Sequence, residues 1–175
     1  MQYRRSYAEG ATYFFTVNLA NRDNDLLIRH IDALRSSFRK VRESHPFEII
    51  AMVVLPEHLH CIWQMPENDM NYPIRWSLIK AIFSRQIPHG ERISESRKDK
   101  RERGIWQRRF WEHQIKDDLD LQRHVDYVHI NPLKHGYVTR VRDWPYSSFH
   151  RSVKQGLMAL DWAGEVQLND RGYGE

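Results

Sequence analysis

An α+β fold, an antiparallel sheet with helices packed on it, is what this sequence predicts, and three observations carry the prediction. Runs rich in β-branched and aromatic residues, TYFFTVNL at 12–19 and the stretch from Phe47 to Trp63, have the composition of strands. Apolar residues elsewhere recur at helical spacing: Leu27, Ile31, Leu34, Phe38 and Val41 in one segment, positions 74, 78, 79, 82 and 83 in another. Taken along the chain the elements read β-α-β-β-α-β-α, an order that suggests a ferredoxin-like sheet with helices on one face, followed by a C-terminal helical tail.

The first strand is Thr12–Leu19, and Asn21–Asp25 supplies the turn and N-cap residues of the helix that follows. Pro46 ends that helical region. Phe47–Leu55 reads as the second strand, and Pro56–Glu57 makes a tight link into the third. PENDMNYP at 66–73 is loop, Ile74–Ile87 the second helix, and Pro88 and Gly90 stop it. The polar, doubly charged stretch at about 91–104 reads as a basic surface loop, and Ile105–Ile115 as a fourth strand. Asp117–Leu119 caps a third helix, expected to end near Asn131–Pro132 because proline disfavours helical dihedrals in the residue before it. The tail, from about 137 to 175, contains WPYSSFH at 144–150 and one more short helix, with Leu157–Trp162 packing on the body.

The 175 residues fit one domain spanning 1–175. Lys and Arg number 27 against 23 Asp and Glu, a net charge of +4. The excess is concentrated between Ile74 and Phe110, where eleven basic residues face four acidic ones, a field suited to a polyanion. A single cysteine, Cys61, excludes an internal disulfide and fits a reducing compartment. The N-terminal segment lacks an apolar signal core, and no apolar run reaches the ~18 residues of a membrane helix. A cytoplasmic protein with no membrane partner is expected.

Chemistry concentrates in LPEHLHCIW at 55–63. Residues i and i+2 of a strand project from one face, so His58 and His60 point into one space and are able to share a divalent metal. Their plain structural reading is two half-buried histidines hydrogen-bonded on a sheet. Within Leu121–Asn131, Leu121, Val125 and Val128 form a core stripe, and His124, Tyr127 and Asn131 lie on a different face. A helical tyrosine is commonly a packing residue. Beside a metal its hydroxyl suits phosphoryl transfer, although a reference pKa of about 10 leaves it weak until a cation or base assists. Arg4, Arg5, Arg108 and Arg109 are candidates for phosphate contacts, and Tyr3, Tyr7, Trp106 and Trp111 for stacking on unpaired bases or for core packing.

HLH at 58–60, the tyrosine within YVHINPLKHG at 127–136 and WQRRFWEH at 106–113, in this order, resemble the HUH single-tyrosine transposases, and most closely the REP-associated tyrosine transposases. YRR at 3–5, TYFFTV at 12–17 and DWPYSSFH at 143–150 extend the resemblance nearly end to end. It implies a ferredoxin-like fold and a Mg²⁺ or Mn²⁺ ion held by His58 and His60, with Asn131 as third ligand. It further implies that Tyr127 attacks a DNA phosphate to give a 5′-phosphotyrosine and a free 3′-OH. The implied target is single-stranded or hairpin DNA of REP-like palindromes, cut by a nucleoid-associated enzyme acting as a monomer rather than a dimer. Glu57 stands where many insertion-sequence relatives carry Asn before the histidine pair. The competing reading is a non-catalytic module, or a regulator derived from a transposase, that grips single-stranded nucleic acid without cutting it.

Overall fold

The computed structural model describes residues 6–91 and 93–162. Four strands form one sheet: β1 (Thr12–Asn18), β2 (Glu48–Val54), β3 (His58–Gln64) and β4 (Trp111–Gln114). Their order is β2-β3-β1-β4 with every pairing antiparallel, as a ferredoxin-like sheet requires. Helices α1 (Leu26–Arg29) and α2 (Ile31–Ser44) connect β1 to β2, and α3 (Tyr72–Gln86) leads from β3 towards β4. The charged segment holds a short α4 (Glu95–Asp99). After β4 come α5 (Asp118–Lys134), a 3₁₀ turn at Val141–Asp143 and α6 (Phe149–Lys154).

The pleat sorts the strand residues between two cores. Tyr13, Phe15 and Val17 of β1, with Leu59, Cys61 and Trp63 of β3, pack against α2 and α3. Here the Trp63 and Trp76 rings stack at 4.3 Å, and Phe38 meets Trp76 edge-on at 5.8 Å. Phe14, Ile62, Ala51 and Val53 face the other way, against Tyr127 and Val128 of α5. Helices therefore cover both faces, not one. The reason is visible in β1, where the adjacent Phe14 and Phe15 point to opposite faces and every residue after Thr12 is buried, so a one-sided sheet would expose large aromatic surface.

Three elements depart from the sequence reading. The fourth strand is interrupted: Trp106 still bridges Leu19 at the end of β1 and turns its ring into the α3 core, 5.3 Å from Phe83, but continuous pairing resumes only at Trp111–Gln114. The basic loop is tethered: Arg103 pairs with Glu91 and donates to the carbonyls of Ile87 (2.6 Å) and Pro88 (2.9 Å). Helix α5 runs through Pro132 to Lys134. Proline costs that helix one backbone bond close to its end, while the true stop is Gly136 at φ +72°. The Tyr137 N–H reaches the Pro132 carbonyl and the Gly136 N–H the Leu133 carbonyl, both at 3.0 Å, a Schellman closure. Asn131 is therefore helical and stays in register with Tyr127.

The tail covers the outer edge of β2. The Val54 N–H donates to the Tyr146 carbonyl (2.9 Å), the Ser148 N–H to that of Met52 (2.8 Å), and the Met52 N–H to Ser148 Oγ (2.8 Å). Trp144 Nε1 donates to the Val54 carbonyl at 2.9 Å. An exposed row of strand donors and acceptors is thereby paired. Among the described residues no helix is long and apolar enough to cross a membrane.

Candidate active site

His58 and His60 lie on β3 with their rings edge-to-face at 4.9 Å, and both are fully buried on the α5 side of the sheet. The Pro56–Glu57 link fixes where β3 begins: the Leu55 N–H donates to the His58 carbonyl (2.9 Å) and the Leu19 N–H to that of Glu57 (2.8 Å). Each imidazole is anchored through Nδ1. His58 Nδ1 lies 2.8 Å from Glu57 Oε1, and His60 Nδ1 lies 2.8 Å from Thr16 Oγ1, its register partner on β1. A carboxylate only accepts, so the His58 proton sits on Nδ1 and its Nε2 keeps a lone pair. A hydroxyl both donates and accepts, so Thr16 holds the His60 ring by Nδ1 with its Nε2 turned the other way. Burial opposes ionisation of Glu57, but the His58 bond and nearby Arg22, whose guanidinium is 3.4 Å away, outweigh it, and its carboxyl sits below the ordinary range.

Helix α5 lies across these rings. The Tyr127 ring centroid is 5.3 Å from that of His60, and the His135 ring is 5.4 Å from His58. Asn131, buried, lies one turn from each on the same face, so the helix presents Tyr127, Asn131 and His135 in a line over the histidine pair. The sheet-facing side of α5 is thus the polar one. His124, Tyr127, Val128 and Asn131 are its most buried residues there, and Leu121 and Val125, expected as the stripe, flank it half-buried. Lys134, two turns beyond Tyr127, donates from Nζ to Tyr127 Oη at 3.2 Å.

A second histidine group joins β4 to α5. His113, Asp120 and His124 have ligand-type atoms all within 4.8 Å of one another. Asp120 receives His113 Nε2 at 2.8 Å, the Lys116 N–H at 3.0 Å and His124 Nδ1 at 3.1 Å. His124 Nδ1 is also 2.8 Å from the Asp120 carbonyl, which only accepts, so that nitrogen carries a proton and has no lone pair for a cation. Burial holds the His124 ring below its ordinary pKa. The three side chains are a hydrogen-bonded clasp that fixes the start of α5. The His58–His60 pair, two imidazoles anchored through Nδ1, has the donor chemistry that divalent cations take.

Of the residues expected at the nucleic-acid surface, Arg108 and Arg109 are exposed, and Arg108 pairs with Glu102 at 2.8 Å. Trp106 lines a cleft with Trp76, Lys80, Arg101, Arg108 and Phe110, yet is only 7% exposed. Tyr3, Arg4 and Arg5 lie outside the described residues. Sequence reasoning missed Thr16, Lys134, His135 and the clasp. Lys134 stands seven residues from Tyr127, and the two share a helical face only because the helix runs past Pro132.

A nucleic-acid enzyme with a tyrosine helix laid over a histidine pair is the class this fold and site define, and the comparisons agree. The family described as "Transposase IS200 like" matches residues 10–131, and the chain belongs to that family. It is 49% identical over 165 residues to the REP-associated tyrosine transposase of Escherichia coli K12, covering 94% of this chain and 92% of that one. A Haemophilus influenzae relative is 48% identical over 171 residues, 97% of each chain. A solved REP-associated tyrosine transposase bound to a REP hairpin superposes with a TM-score of 0.86 at 47% identity, covering 100% of this chain and 97% of the other.

Proposed function

We propose that this chain is a metal-dependent endonuclease and strand transferase for single-stranded DNA, cutting beside hairpin-forming REP-like palindromes with Tyr127 as nucleophile. The observation that carries the reading is the 5.3 Å approach of the Tyr127 and His60 rings, on separate elements, above two imidazoles anchored through Nδ1. His58, His60 and Asn131 would hold the cation, an N,N,O set that suits Mn²⁺ better than Mg²⁺. A bound divalent ion supplies charge stabilisation at a non-bridging oxygen of the scissile phosphate. Tyr127 Oη attacks the phosphorus, the Oη–P bond forms, the P–O3′ bond breaks, and the 3′-oxygen takes up a proton. Religation reverses these steps, since the phosphotyrosine conserves the bond.

The hairpin carried by the solved relative supports the same DNA class here. Arg108, Arg109, Arg4 and Arg5 are assigned to phosphates, Tyr3 and Trp106 to unpaired bases. We read residues 1–175 as a single unit that acts as a monomer at the nucleoid. The non-catalytic alternative, a sheet gripping bases as RNA-recognition domains do, fares poorly because α5 lies on the sheet face that such binding needs.

The test is incubation with hairpin-bearing single-stranded DNA and Mn²⁺, followed by a denaturing gel. The wild-type chain should give a covalent adduct. Tyr127→Phe keeps the packed ring and removes the attacking oxygen, so adduct should disappear while hairpin binding stays within about twofold. Tyr137→Phe and Tyr146→Phe should keep the adduct. An adduct persisting in Tyr127→Phe would overturn the assignment.

A further inference from the structure

Lys134 is the side chain at this site that the reaction above leaves without a role. It stands in the last turn of α5, held in helical register beyond Pro132 by the Gly136 closure. Its Nζ donates to Tyr127 Oη at 3.2 Å and lies 5.1 Å from the centroid of the same ring. The cation therefore touches the atom assigned to attack. A phenol with a reference pKa of about 10 is almost wholly protonated near neutrality. An ammonium within hydrogen-bond reach favours the ionised oxygen over the neutral one. The same contact serves the reverse step, because the phenolate is then the leaving group and carries the same charge.

We propose that Lys134 is a catalytic residue that stabilises the Tyr127 phenolate, as nucleophile in cleavage and as leaving group in religation. The Tyr127 proton passes to water, Oη bonds to phosphorus as the P–O3′ bond breaks, and water protonates the 3′-oxygen. Lys134 stays an ammonium throughout. Its length and place on the helix also aim Oη, since one bond fixes the hydroxyl relative to a backbone that the clasp and the glycine closure hold at both ends. This inference rests on Tyr127 being the nucleophile, so the two must be able to fail separately.

The test follows adduct formation by the full-length chain on hairpin-bearing single-stranded DNA with Mn²⁺ across pH. Lys134→Met should slow adduct formation near neutral pH about tenfold and shift the pH–rate profile to the alkaline side. Lys134→Arg should restore most of both effects, because it keeps the charge. Circular dichroism and hairpin affinity should match the wild type in each variant. If Lys134→Met does not fold, the comparison of Lys134→Gln with Lys134→Arg carries the same test. A rate and pH profile that do not move in Lys134→Met sink the proposal, and so does an equal loss in Lys134→Arg. Weakened hairpin affinity with an unmoved pH–rate profile would make Lys134 a phosphate contact instead. Loss of the whole functional reading shows differently, as an adduct that survives Tyr127→Phe.

Discussion

Glu57 Oε1 accepts a hydrogen bond from His58 Nδ1 at 2.8 Å, and that one bond decides which nitrogen the ring offers. Partners of this kind raise ligand basicity and hold the ring in place, and losing them typically costs 10–100-fold in metal affinity. Glu57→Gln keeps an acceptor and loses the charge, so Mn²⁺ affinity measured by titration calorimetry should fall about tenfold. Glu57→Ala loses both and should fall further, towards the hundredfold end. Equal affinities in all three proteins would remove Glu57 from the site. At this scale the histidine pair was legible because a strand's period of two is a backbone property, independent of what surrounds it. Thr16 was not, since it reaches His60 only through the β1–β3 register, which local sequence does not encode. Lys134 was hidden by the reading that ended the helix at Pro132.

Helix α5 is held from two sides, and this explains both what was read correctly in it and what was not. Its start was read correctly from Asp117, which caps the helix by accepting from the Asp120 N–H at 2.8 Å. The stripe of Leu121, Val125 and Val128 does pack on the sheet core, but apolar periodicity alone did not convey that His124, Tyr127 and Asn131 beside it are buried more deeply than Leu121 and Val125. The opposite side carries Ile130 and His129, covered by Val141, Phe149 and Trp162 of the tail. His129 Nε2 is 3.0 Å from Ser148 Oγ and Nδ1 is 3.0 Å from Met158 Sδ, partners that a neutral ring satisfies. Burial, with Arg151 and His150 nearby, pushes this histidine down to about 4. A depressed histidine binds its proton in the unfolded chain first, so its stabilisation is complete above about pH 6.5 and is lost as pH falls towards about 4. The loss is on the order of 3 kcal/mol at most. Thermal melts across that window should show His129→Gln with a shallower pH dependence than wild type. Parallel curves would mean that the tail is not held through a neutral His129.

For the molecule as a whole, the positive field is less broad than the sequence count suggests. Arg75 is buried and spends its guanidinium on Asp69, at 2.7 Å, and on the carbonyls of Pro46 and His45. Arg103 is tied to Glu91, whose carboxyl that pairing pulls down to about 2, against the opposing effect of burial. Arg75 thus ties the start of α3 to the α2–β2 link, and Arg103 folds the α3–β4 connection onto the end of α3. Among the described residues of this segment, Arg85 near the end of α3 and Lys98, Lys100, Arg101, Arg108 and Arg109 on the connection to β4 remain exposed. A protein that neutralises phosphates loses affinity linearly on a log–log salt plot, with a slope of roughly −0.7 per contact on a single strand. Replacing Arg108 and Arg109 together with Ala should therefore reduce the slope for a hairpin-bearing strand by about one to two, read by fluorescence anisotropy across salt concentrations. Arg75→Ala should act differently, lowering the melting temperature by leaving Asp69 and the carbonyls of His45, Pro46 and Asn71 without this donor, and leaving the slope of the folded protein unchanged. If the double arginine variant keeps the wild-type slope, the phosphates run over another surface of the sheet, and the basic connection is structural from end to end.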